Sequence, residues 1–286
     1  MGTPQQWSGS GIPKNVLMRI VDETYQRTAG PNVPKLKRYE AFSSTVYGEL
    51  MPSLSYDIIQ LSKLNEGSLF LDLGSGVGNV VAQASLQTGC RSYGIELMPH
   101  PARVAREMKE QMEIRCRMWG IRLGEIELEE GDMLQSKRLT ELIPQADVVL
   151  VDNKVFEESR KLFQSSNQRL LICVQVNEAI RPMFLDLKEG AIVVSLKPFA
   201  SAANVRLTQR NVSYLFMLPD SSLLRFCQID DISSIFHVEE RQYRSGSVSW
   251  GNNGGTYYIH RVDRTGYAEI RRKFESTHGT RTRSRR

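Results

Sequence analysis

The stretch that most constrains the fold is Leu69-Phe70-Leu71-Asp72-Leu73-Gly74-Ser75-Gly76-Val77-Gly78-Asn79. An apolar run of strand length feeds directly into glycines at alternate positions. A second strand-like run, Ser92-Tyr93-Gly94-Ile95-Glu96, follows after a helical interval and ends in an acid. This layout is the opening unit of a doubly wound α/β sheet with a nucleotide-type site at the first turn. The glycines allow backbone to approach a ligand where a Cβ would collide. Glu96, at the end of the second strand, can accept both hydrogen bonds of a ribose diol.

The ligand implied is not a dinucleotide. That fingerprint places glycine at the sixth position of GxGxxG, and here the position holds Asn79. Asp72 stands just before the loop, where a carboxylate would repel a pyrophosphate but could position water or a cationic group. Asp-x-Gly-x-Gly-x-Gly with a downstream Glu resembles the pattern of S-adenosylmethionine (SAM) methyltransferases. The plainer alternative is a glycine-rich turn that binds nothing.

A chain of 286 residues with 41% hydrophobic content suits one large α/β domain with an appendage. It has no run of 18 apolar residues, so no membrane span is expected. The first residues lack the basic-then-apolar layout of a secretory signal. Cys90, Cys116, Cys173 and Cys227 stand singly and read as reduced intracellular thiols. His100, His237, His260 and His278 are scattered, so no metal site is expected. Net charge is +5, and Arg271-Arg272-Lys273, Arg281, Arg283, Arg285 and Arg286 concentrate positive charge near the end of the sequence. Such a segment either neutralises phosphates or merely solubilises the chain.

The periodicity predicts two short helices around Val16–Ile20 and Asp22–Arg27, broken by Gly30-Pro31. Pro34-Lys35-Leu36-Lys37-Arg38 is a basic segment. Val46-Tyr47-Gly48-Glu49-Leu50 reads as a loop before a helix carrying Leu54, Ile58, Ile59 and Leu61. Strand one is Leu69–Leu73, with a helix opening near Val80. Pro99–Trp119 reads as a long charged helix. Ile126–Leu128 is strand three, running out at Glu130-Gly131-Asp132-Met133. Ala146–Val151 is strand four, ending at Asp152-Asn153, and Ala191–Leu196 is strand five. Gly246–Trp250 and Thr256–Val262 read as antiparallel strands. The expected fold is α/β: a Rossmann-like seven-stranded SAM-dependent methyltransferase sheet with a small helical N-terminal appendage. Asp72, Glu96, Asp132-Met133 and Asp152-Asn153 all fall at strand carboxyl ends, where such sheets bind ligands. Asp132 is suited to accept from an adenine amino group, with Met133 packing on the ring.

A more specific resemblance rests on motifs in order: Val46-Tyr47-Gly48-Glu49, Asp72 to Gly78, Gly131-Asp132, Asn153-x-x-Phe156, Ser195-x-Lys197-Pro198-Phe199, Gly246-Ser-Val-Ser-Trp250, Tyr257-Tyr258 and Arg261-Val-Asp-Arg264. Together they resemble the catalytic domain of the Disruptor-of-telomeric-silencing (Dot-one) family, the non-SET histone lysine methyltransferases, over roughly residues 12 to 276. The resemblance implies methyl transfer from SAM to a lysine on the globular core of histone H3 in nucleosomes, in the nucleus. Nucleosomal DNA would then be met by the basic segments, with no membrane and no metal. It implies a helical appendage over 1–45, a catalytic domain over 46–276 and a basic tail over 277–286. By motif, Tyr47, Gly48, Glu49 and Leu50 close over the methionine end of SAM. Phe70, Asp72, Gly74, Ser75, Gly76, Gly78 and Asn79 hold its amino-acid part. Glu96 takes the ribose; Asp132 and Met133 take the adenine. Asn153, Phe156, Trp250 and Tyr257 line the lysine channel. No dedicated general base is expected.

Three departures matter. The family has Asn-Asn after strand four where this chain has Asp152-Asn153. If Asp152 faces the channel, its carboxylate favours a charged lysine. Residues 160–176 and 212–229 interrupt the family pattern. They are either surface loops particular to this lineage or translated introns in a conceptual gene product.

Overall fold

The computed structural model describes residues 11–34, 36, 48–153, 177, 179–199 and 235–265. Seven strands form one sheet: β1 Leu69–Leu73, β2 Arg91–Glu96, β3 Ile126–Glu130, β4 Val148–Val151, β5 Ile192–Ser195, β6 Phe236–Tyr243 and β7 Gly255–Val262. Their spatial order is β3-β2-β1-β4-β5-β7-β6. β1 to β5 are parallel, and β7 runs antiparallel between β5 and β6. The chain therefore winds outward from β1 to β3, returns to the centre at β4 and winds the other way. The crevice between β1 and β4 is the point where such a sheet binds ligands.

Five α-helices accompany the described strands: α1 Lys14–Thr28, α2 Pro52–Leu61, α3 Asn79–Thr88, α4 Pro99–Trp119 and α5 Lys137–Leu142. The period-two alternation of β1 sends Leu69, Leu71 and Leu73 to one face. There they meet Tyr93, Ile95, Val149, Val193 and Leu139 and Leu142 of α5. The other face, with Phe70, Val148, Leu150, Ile192 and Val194, packs on Leu54, Ile58 and Ile59 of α2. Both faces of the central strands are covered, which is why β1 and β4 read as nearly unbroken apolar runs.

Two short N-terminal helices are predicted, but α1 is one continuous helix. Its buried residues, Leu17, Ile20, Val21, Thr24 and Thr28, form a single stripe with no breaker inside it. The Thr24 and Thr28 hydroxyls donate to the carbonyls of Ile20 and Thr24, so these polar groups are satisfied within the buried face. α1 packs against α3 and α4 through Val81, Ala82, Val104, Met108 and Met112.

A second expectation is corrected. Gly246–Trp250 is a turn, and the strand that pairs with β7 is β6, Phe236–Tyr243. β6 is the sheet edge, buried only near its ends, so Val238-Glu239-Glu240-Arg241-Gln242 shows no alternation to read. The turn makes an isolated antiparallel bridge from Val248 to Leu50 instead. The proposed inserts 160–176 and 212–229, the basic segments after 265, Cys173 and Cys227 lie outside the described residues; Cys90 and Cys116 are buried free thiols. Among the described residues no helix is long and apolar enough to cross a membrane.

Candidate functional site

Burial and backbone geometry build the glycine loop from below. The amides of Gly74 and Ser75 both donate to the Ile95 carbonyl, at 2.9 and 3.0 Å, which ties the loop to the end of β2. Gly76 N–H donates to Glu96 Oε2 at 2.9 Å, and Met98 N–H donates to Glu96 Oε1 at 2.7 Å. Two glycines are required by space or conformation. Gly78 starts α3 in the left-handed region, at φ 78°, and a Cβ there would stand 3.3 Å from the Ala105 Cβ of α4. At Gly94 of β2 a Cβ would lie 2.8 Å from both Ser75 Cβ and Val81 Cγ2. The loop can settle onto β2 only because that strand has no side chain at this point.

Above the loop lies a cleft with about 360 Å³ of empty space, part of it open to solvent. It is lined by Gly48, Glu49 and Leu50, by Asp72, by Gly74 to Val77 and Asn79 of the loop, and by Val80, Leu150 and Asp152. This is the β1/β4 crevice. Asp72 is 4% exposed, and burial, then Asp152, then Glu96 push its carboxyl up to about 8. Burial also raises Glu96, against the backbone amides of Met98, Gly76 and Leu97 that pull it down. A cationic ligand would relieve this crowding of carboxylates.

Glu49 lies on a separate loop held from two sides. Its backbone N–H donates to Ser249 Oγ at 2.8 Å, and Ser249 N–H returns to the Glu49 carbonyl at 2.9 Å. Met51 N–H donates to the Ser247 carbonyl at 3.0 Å. Residues 49–51 are thereby zipped to the β6–β7 turn. Leu50, Val248, Tyr257 and, partly buried, Trp250 share one apolar cluster, so the turn and β7 each bring one aromatic beside the cleft loop.

The structure brings eight of the eighteen residues expected from sequence together at the cleft. Gly48, Glu49, Leu50, Asp72, Gly74, Ser75, Gly76 and Asn79 meet at the cleft. Phe70 and Gly78 lie beneath it, Phe70 with 0% exposure in the core. Glu96 and Asp132 follow along the strand ends, joined where Gly131 N–H donates to the Glu96 carbonyl. Asp132 Oδ1 accepts from Leu134 N–H at 2.9 Å, and Met133 packs partly buried on the core. Asn153 is 1% exposed and acts as a clamp. Its Oδ1 accepts from Leu196 and Lys197 N–H at 3.1 and 2.8 Å, and its Nδ2 donates to the Lys197 carbonyl at 3.0 Å. Tyr257 is 4% exposed. Tyr47 and Phe156 lie outside the described residues. Sequence reasoning left Val77, Val80 and Leu150 out of the lining. It placed Asp152 at the ligand-binding strand ends and as a departure from the family without giving it a site role, and the structure places that residue in the cleft lining.

The residues present fit the expected cofactor. Asp72 presents a buried carboxylate whose environment contains neighbouring acids and no hydrogen-bond donor among the described residues. The buried Oδ1 of Asn79 likewise has no partner. The side of Gly74 on which a Cβ would stand is open. A ligand bearing a positive charge and hydrogen-bond donors would satisfy all three.

The strand order and the crevice define the chain's class, a Rossmann-like methyltransferase fold. The family profile described as "Histone methylation protein DOT1" matches residues 25–226 and 203–262. The chain belongs to that family. It is 40% identical over 280 residues to the "Histone-lysine N-methyltransferase, H3 lysine-79 specific" of Mycosarcoma maydis, covering 98% of this chain and 30% of that protein. The protein of the same description from Gibberella zeae is 37% identical over 249 residues, 87% of this chain and 43% of its own length. The chain thus spans less than half the length of these relatives. Among solved structures, it is similar to an O-methyltransferase from Bacillus cereus in complex with SAH, at 16% identity and a TM-score of 0.49, covering 91% of this chain and 96% of that one.

Proposed function

We infer that this chain is a SAM-dependent histone-lysine methyltransferase acting on a lysine of the globular core of nucleosomal histone H3, in the nucleus. One observation carries the reading. The loop lining the cofactor cleft, Glu49 to Met51, is hydrogen-bonded to the turn carrying Trp250, so a cofactor wall and an aromatic wall are built as one unit. Family membership and the names of its fungal relatives support the substrate class.

In this reading Asp72, Asn79 and Glu49 bind the methionine end of SAM, while the glycine loop gives it room. Glu96 offers its remaining lone pairs to the ribose, and Asp132 and Met133 take the adenine. Bound SAM supplies a methyl group on a positively charged sulfur, which needs no activation. Trp250 and Tyr257 exclude water along the acceptor path. An apolar path disfavours the charged lysine and so promotes the neutral amine that attacks. Asn153 contributes by fixing the end of β4 against residues 196 and 197. The basic segments Arg271–Lys273 and Arg281–Arg286 neutralise DNA phosphates.

The test is transfer of radiolabelled methyl from SAM to recombinant nucleosomes, beside free histones and RNA. Label confined to nucleosomal H3 supports the reading, and label on RNA or another protein moves the substrate elsewhere. The cleft carboxylate of Asp152 favours one competing reading, a chromatin-binding module without turnover. SAM binding with no labelled product would establish that instead.

A further inference from the structure

We propose that Tyr25, on the N-terminal helix and far in sequence from every motif of the site, is a positioning residue that sets the Glu49 carboxylate for the ammonium group of the cofactor. The proposal rests on the methyltransferase reading above. Tyr25 Oη donates to Glu49 Oε1 at 3.2 Å. Burial, then the neighbouring Glu49 carboxylate, raises the phenol above its usual range, so it stays a donor at working pH. The backbone of Glu49 is already fixed by Ser249 on the far side, in both directions. Tyr25 adds a side-chain bond to that backbone anchoring and so bears on the orientation of the carboxylate.

α1 is a rigid base for that contact. Leu17, Ile20 and Val21 are buried in one cluster with Val81, Val104 and Met108. The same cluster includes Val77 of the glycine loop, which is 1% exposed. One helix therefore bears on both walls of the cleft, on the glycine loop through Val77 and on the Glu49 loop through Tyr25. A helical segment that looks like an appendage to the sheet becomes part of the cofactor site.

Calorimetric titration of the full chain with SAM and with 5′-methylthioadenosine, which lacks the amino-acid part, tests this. Four proteins are compared: wild type, Tyr25→Phe, Glu49→Gln and the double variant. Tyr25→Phe removes a single oxygen and is expected to weaken SAM binding about tenfold or more, from the low end of the range for one hydrogen bond to a charged group upwards. Binding of methylthioadenosine should stay unchanged in all four. The double variant should bind SAM no more weakly than Glu49→Gln alone, because Tyr25 acts only through Glu49. Unchanged SAM affinity in Tyr25→Phe overturns the proposal. So do equal losses for both ligands, which mark a general packing role, and additive losses in the double variant. If wild type binds neither ligand, the cofactor reading itself fails and takes the proposal with it.

Discussion

Replacing Asp72 by asparagine should stabilise the ligand-free protein while weakening its hold on SAM. The carboxyl is pushed from 3.8 up to about 8 by burial first, then by Asp152 and Glu96. In the unfolded chain it titrates near its ordinary value. Between those two limits the native state therefore carries a proton that the unfolded state has lost. The stability attached to Asp72 is fully present below 3.8 and is lost as pH rises towards 8. At about 1.4 kcal/mol per unit, the span from 3.8 to neutrality amounts to about 4 kcal/mol. The neighbouring carboxylates of Asp152 and Glu96 cause part of that shift, so the figure is a ceiling. Asparagine keeps the shape and cannot ionise. Urea unfolding should show the Asp72→Asn variant more stable than wild type by about 2–4 kcal/mol at pH 7.5, converging with it near pH 4.

The cationic ligand reverses the preference, because it needs the carboxylate. With a carboxyl titrating near 8, about 1% is ionised at pH 6 and about 10% at pH 7. Apparent affinity scales with the competent fraction, so SAM should bind wild type about tenfold more tightly at pH 7 than at pH 6. About one proton should leave on binding, which calorimetry in two buffers of different ionisation enthalpy would detect. Asp72→Asn should bind weakly and with no such slope. A variant less stable than wild type at pH 7.5, or a wild-type affinity that is flat from pH 6 to 7, would refute the reasoning.

Four further outcomes follow from the same structure. Asn153→Ala removes the side-chain acceptor of the Leu196 and Lys197 amides, while the Lys197 carbonyl keeps the Ser195 hydroxyl as a donor, and should lower unfolding stability in urea by about 2–3 kcal/mol. Gly94→Ala forces a Cβ to within 2.8 Å of Ser75 and Val81; it should cost about 1–3 kcal/mol in thermal melts and weaken SAM binding by displacing the glycine loop. Burial holds His260 neutral, with its pKa down to about 4, while Nε2 accepts from Phe199 N–H; its contribution is present above 6.5 and fades as pH falls towards 4, a loss of about 3 kcal/mol seen by urea unfolding and by the NMR titration of the ring. Trp250→Ala should leave SAM affinity nearly intact while lowering the methyl-transfer rate at least about tenfold, as the acceptor-side role proposed for this side chain requires.

The central part of the fold was legible because it is local. Leu69 to Asn79 encodes strand, turn and helix start in one uninterrupted run, and α4 begins and ends where Pro99 and Gly120 say it should. The cleft residues on that run were legible for the same reason. β6 was not, because an edge strand exposed along most of its length has no burial pattern to imprint on its sequence. The clamp made by Asn153 was invisible as well. Its three bonds go to backbone more than forty residues away, and backbone partners leave no mark in the identity of the residues that supply them.

Tyr25 shows the same limit in a form that matters for function. Its spacing along α1 marks it only as a helix residue near the edge of the buried stripe, and nothing in the sequence links it to Glu49. The link exists because α1 docks on α3 and α4, and that docking also presses on Val77. The glycine loop, the Glu49 loop and the Trp250 turn are thus braced by one helix and one pair of backbone bonds. A packing change in α1 shifts the walls it braces together, since tightly packed elements move as units. Cofactor affinity and acceptor alignment should therefore respond together to packing changes in α1, even though α1 contributes no residue to the lining of the cleft. That coupling is expected to separate α1 core substitutions such as Val21→Ala, which move both properties, from Trp250→Ala, which moves only one.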